Sequence, residues 1–304
     1  MKIYTNLNIE KRHKNSVIAI GNFDGVHLGH KKVIAQAKQK AIKKNLPFGI
    51  ITFEPVPVMF FNKNITNHRI NSLEQKKNQL KNLKIDFLII IKFNKKFSSI
   101  SAEKFIQKIV YRKTMSKYIF VSKNFKFGKN RLGNVNVLKK SEKIFNYKTI
   151  IASPLTRLKK TISSTLIRNK IHSGRILEAT NLLGRLWSIQ GKVIKGMRRG
   201  SKIGFPTCNI KLNDYVIPKL GVYSVLVESN NFKKKGIANV GYRPTFNGQN
   251  LLLEVNIFGI NKNLYNKELK VDFKRFIRSE RKFSGLEQLK KQIKIDITRA
   301  KKNV

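Results

Sequence analysis

Two histidines flanking a leucine and a glycine, within Gly21-Asn22-Phe23-Asp24-Gly25-Val26-His27-Leu28-Gly29-His30, are the residues whose types and spacing speak most directly of chemistry. At a strand-to-helix turn such imidazoles can grip a nucleotide's phosphates with donors that need not be permanently charged, which points to nucleotidyl transfer. Glycines at 21, 25 and 29 allow close backbone approach and unusual dihedrals, and a helix start adds unpaired N–H groups and the positive end of its dipole. Taken alone, His27-Leu28-Gly29-His30 is also compatible with a metal site or with a histidine pair satisfied inside a turn. A metal would lack Cys or carboxylate partners at ligand spacing nearby, Asp24 excepted.

Three more segments of the amino-terminal half belong with the histidines by chemical logic. Thr52-Phe53-Glu54-Pro55-Val56-Pro57 follows an apolar run, so its loop is expected at the same sheet end. Asn124-Phe125-Lys126-Phe127-Gly128-Lys129-Asn130-Arg131-Leu132-Gly133-Asn134 follows another and mixes an amide, aromatics, cations and glycines. Thr161 to Arg168 reads as a helix start with hydroxyls at Ser163, Ser164 and Thr165, and puts Arg168 about one turn farther on. Singly, these hydroxyls are helix caps and Arg168 a solvated charge. Together they outline a phosphate cleft, where fixed donors stabilise charge developing during in-line attack on an ATP α-phosphate more than they stabilise ground-state ATP.

The carboxy-terminal half has its own pattern. Gly196, Gly200 and Gly204 precede Pro206-Thr207-Cys208-Asn209; the Gly200-Ser201-Lys202 fragment has neither the spacing nor the strand-to-helix context of a Walker loop. The glycines suggest a mobile loop over phosphates, and the Thr207 hydroxyl and Asn209 amide oxygen suit a hard Mg²⁺ ion. An ordinary turn around Pro206 and Asn209 would contain the same residues. Farther on, alternation sets Leu253, Val255 and Ile257 on one face of a strand and Glu254 with Asn256 on the other, as an exposed strand face also would.

The elements that must position these residues fall into two textures. Up to about Gly184, short apolar runs (Val17 to Ile20, Phe48 to Phe53, Phe87 to Phe93, Tyr118 to Val121, Lys148 to Ile151) alternate with amphipathic helices, including one that a Ser72/Gln75 capping box opens and one marked by Phe105, Ile106, Ile109 and Val110. That predicts an α/β, Rossmann-like domain over 1–184, a parallel sheet binding ligands beyond the carboxyl ends of its strands. Beyond it, over 185–304, extended segments (Ser188 to Ile194, Gly221 to Val227, Gly236 to Val240, Leu251 to Phe258, Leu269 to Phe273) predict a mainly β domain, an antiparallel sheet or small barrel. A closing helix capped by Ser284 and Glu287 carries the stripe Leu286, Leu289, Ile293 and Ile297 that would pack on it.

At 304 residues and 41% hydrophobic composition the chain has room for two cores. The single cysteine, Cys208, excludes an internal disulfide framework and fits a reducing, cytoplasmic setting. The richest apolar run, Phe87 to Ile91, is closed by Asp86 and Lys92, and residues 1–15 lack the apolar region of a signal peptide, so no membrane segment is expected. Lys and Arg number 64 against 16 Asp and Glu, a net charge of +48. Because the lysines are spread through both halves and interleaved with Asn and Ile, this reads as a compositional drift that sets surface charge, with no dedicated nucleic-acid partner; an RNA-binding protein on the same scaffold is the alternative the charge suggests.

The order of these motifs resembles the bacterial bifunctional riboflavin kinase/FAD synthetase family over nearly the whole chain. The resemblance is carried by Gly21 to His30, Asn124 to Gly128 and Ile162 to Arg168, then by Pro206-Thr207-Cys208-Asn209, where cysteine stands for the family's alanine, Gly221-Val222-Tyr223, Asn239 to Phe246, Leu253-Glu254-Val255, Leu264-Tyr265 and Ile277 to Glu280. It implies that the first domain joins FMN to the AMP part of ATP, giving FAD and pyrophosphate. It also implies a six-stranded barrel that phosphorylates the ribityl hydroxyl of riboflavin with MgATP. By the same resemblance His27 and His30 stabilise the α-phosphate transition state, Asn124 contacts nucleotide or flavin phosphate, and Asn22, Phe23 and Gly25 belong to the cofactor-binding turn. Ser163, Ser164, Thr165 and Arg168 would hold the ATP phosphates. In the barrel, Glu254 is implied as general base, with Thr207 and Asn209 positioning Mg²⁺ and phosphate beside the loop of Gly196 and Gly204. One position departs: the family carries a histidine in the segment Glu54-Pro55-Val56-Pro57, and Val56 offers no hydrogen bond or charge. The expectation is slower adenylyl transfer, and a kinase with a weakened adenylyltransferase half is the second reading.

Overall fold

The computed structural model describes residues 1–157, 160–196, 199–245 and 248–302; Phe246 and positions 197–198 of the glycine loop lie outside them. Chain contacts divide it into two compact units, Met1–Ile65 with Leu73–Ser163, and Thr66–Ser72 with Ser164–Val304. The helices Ser164–His172 and Ile176–Leu183, expected on the amino-terminal side of a boundary at Gly184, count with the second unit.

In the first unit six parallel strands, β1 (Lys2–Tyr4), β2 (Val17–Ile20), β3 (Phe48–Glu54), β4 (Phe87–Lys92), β5 (Tyr118–Val121) and β6 (Lys148–Ile151), lie in the order β1-β4-β3-β2-β5-β6. Their near-continuous apolar runs are explained by burial on both faces. Ile18, Ile20, Ile51, Phe53, Phe87 and Ile89 pack against Phe105, Ile106, Ile109 and Leu138. From the same strands Val17, Ala19, Ile50, Leu88 and Ile90 pack against Ile34, Ala37, Ala41 and Leu80 on the other side. Gly49 lies where a Cβ would strike the Phe87 ring, so β3 and β4 meet closely there. The sequence pattern gave no sign of β1, whose three residues bury only Tyr4. Tyr4 Oη and His13 Nδ1 share a 2.7 Å hydrogen bond, and the imidazole stacks on Phe87 with ring centroids 4.7 Å apart. A short ladder of β7 (Thr156–Arg157) and β8 (Lys160–Thr161) takes up the residues expected to begin a helix at Thr161, which therefore starts at Ser164.

The second unit is a closed antiparallel barrel of β9 (Trp187–Ile194), β10 (Cys208–Lys211), β11 (Gly221–Ser229), β12 (Phe232–Thr245), β13 (Gly248–Ile257) and β14 (Glu268–Ser279), in the order β10-β13-β12-β11-β14-β9. Strand β9 pairs with both β10 and β14 and so closes the ring. Trp187, Tyr223 and Phe273 fill the interior, with Phe273 4.7 Å from the Trp187 ring and 5.0 Å from that of Tyr223. Trp187 Nε1 donates to the carbonyl of Ile70 at 2.8 Å and the Val216 amide to that of Arg69 at 2.7 Å, which ties Thr66–Ser72 to the barrel. Ile176–Leu183 packs on β9 and β14, the physical reason it belongs here. The closing helix, Leu286–Lys302, sets Ile297 and Ala300 against Val222 and Ile237 on the outside of the barrel.

Candidate active sites

The histidine turn leaves the carboxyl end of β2, held by a Gly21 amide bond to the Ile51 carbonyl at 3.1 Å, and opens the helix Leu28–Lys44. Gly25 has a φ of 82°, and Phe23 and Val26, at 47° and 36°, also take left-handed backbone that L side chains seldom adopt. Both side chains are buried in the core, and that packing holds the turn in its strained form. Thr52 Oγ1 and Lys76 Nζ each donate to the Asn22 carbonyl at 3.0 Å, fixing the loop from β3 and from the helix Leu73–Asn82.

His27 is the N-cap of the helix: its Nδ1 accepts the His30 amide at 3.2 Å, and the two rings stack with centroids 3.6 Å apart and 18° between planes. Because Nδ1 is the acceptor, the neutral ring carries its proton on Nε2, which becomes a donor. The imidazoles thus stand together at a helix N-terminus, where the dipole favours anions. A Cβ at Gly29 would lie 3.1 Å from the His27 ring and from the Ile162 carbonyl, so the turn, the helix start and the approach to Ser163 are close-fitted. Asn124 is exposed in the turn after β5, beyond the same sheet edge, followed by stacked Phe125 and Phe127 with centroids 5.4 Å apart. Val56, past the carboxyl end of β3, is 2% exposed.

Ser164 and Thr165 open their helix in the second unit, and half-buried Arg168 donates from Nε to the His68 carbonyl at 2.9 Å. Elsewhere in that unit a cavity of about 620 Å³ lies between the outer face of the barrel and the closing helix, lined by Gly196, Thr207, Asn209, Asn239, Arg243, Glu254 and Asn256 among others, with Leu289, Ile293 and Asp296 from the helix. Asn239, Glu254 and Asn209 stand directly opposite one another on β12, β13 and β10, so one polar row crosses three strands. The alternation expected of β13 holds: Leu253, Val255 and Ile257 are core, Glu254 and Asn256 face the cavity.

Asn256 Nδ2 donates to the Pro206 carbonyl at 2.7 Å and pins the turn that carries Thr207. Gly196 abuts the Asn209 amide so closely that a Cβ would collide with it, and Gly204 serves the loop through its φ of 87°. Thr207 and Asn209 therefore present two neutral oxygens beside closely approaching backbone at Gly196, a donor set suited to a hard cation that keeps most of its ligands from phosphate and water. Among the described residues no group of three or more His, Cys, Asp or Glu could hold a metal without such help. Burial raises the pKa of the Cys208 thiol above its ordinary value, as befits a small packing residue.

Three features of this cavity carried no role in the sequence reading. Arg243 donates to Glu254 and Glu280 together, Asn239 Nδ2 donates to Glu280 Oε1 at 3.1 Å, and Arg278 meets the buried carboxylate of Asp296. All lie in or beside quoted motifs, but nothing in their spacing says which charges are paired.

A family model for FAD synthetase matches residues 9–166, and one for riboflavin kinase matches residues 183–304. A bifunctional riboflavin kinase/FMN adenylyltransferase from Buchnera aphidicola subsp. Schizaphis graminum is 41% identical, covering 97% of this chain and 96% of the relative. Its namesake from Haemophilus influenzae is 38% identical, covering 93% and 92%. A crystal structure described as a macrolide-efflux protein from Streptococcus pneumoniae matches with a TM-score of 0.86 and 31% identity over 98% of both chains. Among the described residues of the present chain, no helix is long and apolar enough to cross a membrane.

Proposed function

The chain belongs to the family of bifunctional riboflavin kinases/FMN adenylyltransferases, and we propose that its two reactions use separate sites, the histidine turn and the barrel cavity. The enzyme phosphorylates riboflavin to FMN and adenylylates FMN to FAD. The observation that carries the separation is that the two family matches fall on different folds, 9–166 on the parallel sheet and 183–304 on the barrel. In terms of activity we divide the chain at 1–184 and 185–304.

In the first site a phosphate oxygen of FMN attacks the α-phosphorus of ATP, the bond to the β-phosphate breaks and pyrophosphate leaves. His27, donating from Nε2, and His30 stabilise the charge that builds on the α-phosphate oxygens. Asn22, Phe23 and Gly25 shape the nucleotide pocket, Asn124 contacts nucleotide or flavin phosphate, and Ser163, Ser164, Thr165 and Arg168 hold the ATP phosphates. In the second site a ribityl hydroxyl attacks the γ-phosphorus of ATP, its proton passes to Glu254 and ADP leaves. Thr207 and Asn209 would hold Mg²⁺, which when bound neutralises charge on the phosphates. Gly196 and Gly204 keep the loop close to them. The lone, partly buried Cys208 supports a cytoplasmic setting.

The test is to supply purified enzyme with riboflavin, ATP and Mg²⁺ and separate the flavins. Glu254→Gln should suppress FMN formation yet leave conversion of supplied FMN to FAD, and His27→Asn should do the reverse. Equal loss of both activities in either variant would contradict separate sites.

A further inference from the structure

Glu254 shares its cavity with a cation already bonded to it. Arg243, on β12, donates to Glu254 Oε2 from Nε at 2.9 Å and again from Nη2, and its Nη1 reaches Glu280 Oε1 at 3.2 Å. Asn239 gives the same Glu280 oxygen a second bond at 3.1 Å. One guanidinium therefore spans a carboxylate from β13 and another just past β14, the forked arrangement that arginine makes and lysine cannot. The backbone is cut to fit: a Cβ at Gly241 would collide with the Glu280 carboxylate. Burial works against the Arg243 cation, but its bonds to Glu254 and Glu280 outweigh burial and hold its pKa above the ordinary value.

The other charges facing this cavity are Lys195 at the end of β9, Arg278 on β14, Arg281 beyond it and Asp296 on the closing helix. Arg278 is committed to Asp296, with Nε and Nη2 at 2.8 and 2.7 Å from Oδ2. The Arg281 guanidinium lies over the Phe283 ring, 5.4 Å from its centroid. Arg243 is the cation bonded to Glu254, both bonds falling on Oε2.

We infer that Arg243 is a positioning residue of the riboflavin kinase reaction. It holds Glu254 by Oε2 and turns Oε1 toward the ribityl hydroxyl, while Glu280 and Asn239 hold the guanidinium in place. The inference rests on Glu254 being the base. Physically, a charge-assisted bond holds the carboxylate in place, and two donors of one rigid guanidinium converging on a single oxygen limit how it can turn. The two contributions separate by substitution: Arg243→Gln loses both, whereas Arg243→Lys keeps the charge and loses the fork.

The experiment compares steady-state riboflavin phosphorylation by the full-length enzyme with that by Arg243→Gln, Arg243→Lys and Glu280→Gln, separating kcat from the KM for riboflavin and following FAD formation from supplied FMN on the same preparations. Arg243→Gln should lower kcat about tenfold with KM little changed, the scale of a lost charge-assisted bond. Arg243→Lys should recover part of that kcat, Glu280→Gln should lose less than Arg243→Gln, and FAD formation should be retained in all three. A full wild-type kcat in Arg243→Gln or in Arg243→Lys, or a loss in Arg243→Gln carried by KM alone, overturns the inference. Should Arg243→Gln prove unfolded by its melting curve, Arg243→Lys decides alone, a full kcat overturning the inference and a reduced kcat at unchanged KM supporting it. Undiminished FMN formation by Glu254→Gln would instead remove the base assignment, whatever Arg243 does.

Discussion

Lys76 Nζ bonds the main-chain carbonyl of Asn22 at 3.0 Å, so a lysine that is only 2% exposed braces the turn leading to His27 and His30. Thr52 Oγ1 braces the same oxygen, and the loop is fixed from two elements of the first unit. Preorganised donors act in a transition state because they need not reorganise when charge appears. Lys76→Met should therefore slow FAD formation from supplied FMN by about tenfold, the scale of a lost charge-assisted bond, while riboflavin phosphorylation is retained. Assaying both reactions on one preparation checks this; a matched decline in both would point to general unfolding.

Val56 stands where the resemblance expects a histidine, and its side chain is buried past the carboxyl end of β3. A histidine there would be oriented by its surroundings and would add a donor at the sheet end that carries His27. Val56→His should raise the rate of FAD formation several-fold with FMN formation unchanged, since one donor commonly contributes a few kcal/mol to a transition state. No rise would show that the present site works without a donor at this position.

Asp296 is buried and takes two bonds from Arg278 and a third from Gln292 Nε2 at 2.7 Å. Removing the cation strands a buried carboxylate, so Arg278→Leu should destabilise the barrel unit by about 3–5 kcal/mol, and Arg278→Leu/Asp296→Leu by less. Urea unfolding of the variants gives both numbers; a double variant no more stable than the single one would contradict the stranded charge.

His13 gives stability a pH dependence with a definite sign. Burial above all, with Arg12 nearby, holds its imidazole below the ordinary histidine value of 6.5. The unfolded chain takes up the proton first, so this contribution is complete above about pH 6.5 and is lost as pH falls below it toward the folded-state value. His13→Phe keeps a ring on Phe87 and removes the titration. Its denaturation midpoint should fall less than that of the wild type between about pH 8 and pH 5.5, and parallel curves would assign the loss elsewhere.

What the sequence made legible follows from how burial writes itself into residue types. Strands β2 to β5 are enclosed on both faces and read as unbroken apolar runs. The barrel strands read short because charged residues interrupt their apolar pattern: the segment seen as Leu269 to Phe273 continues through Lys274, Arg275 and Arg278 to Ser279. His27 and His30 stood out by type, but their ring stack depends on a backbone only the folded turn supplies. Lys76 and Arg243 were hidden among 64 Lys and Arg residues, since charge spacing does not record which side chain is buried against which oxygen.

The Ile70 carbonyl waits for a partner 117 residues downstream. As the chain leaves the ribosome, Thr66–Ser72 emerges with the parallel-sheet half but finds its neighbours only once Trp187 and Val216 have been made. The amino-terminal half is thus translated with a strip of foreign territory inside it. Proteolysis or gene splitting at any single peptide bond near Ser163 or Gly184 would leave that strip on the wrong fragment, and the barrel would lose the acceptor for its buried indole.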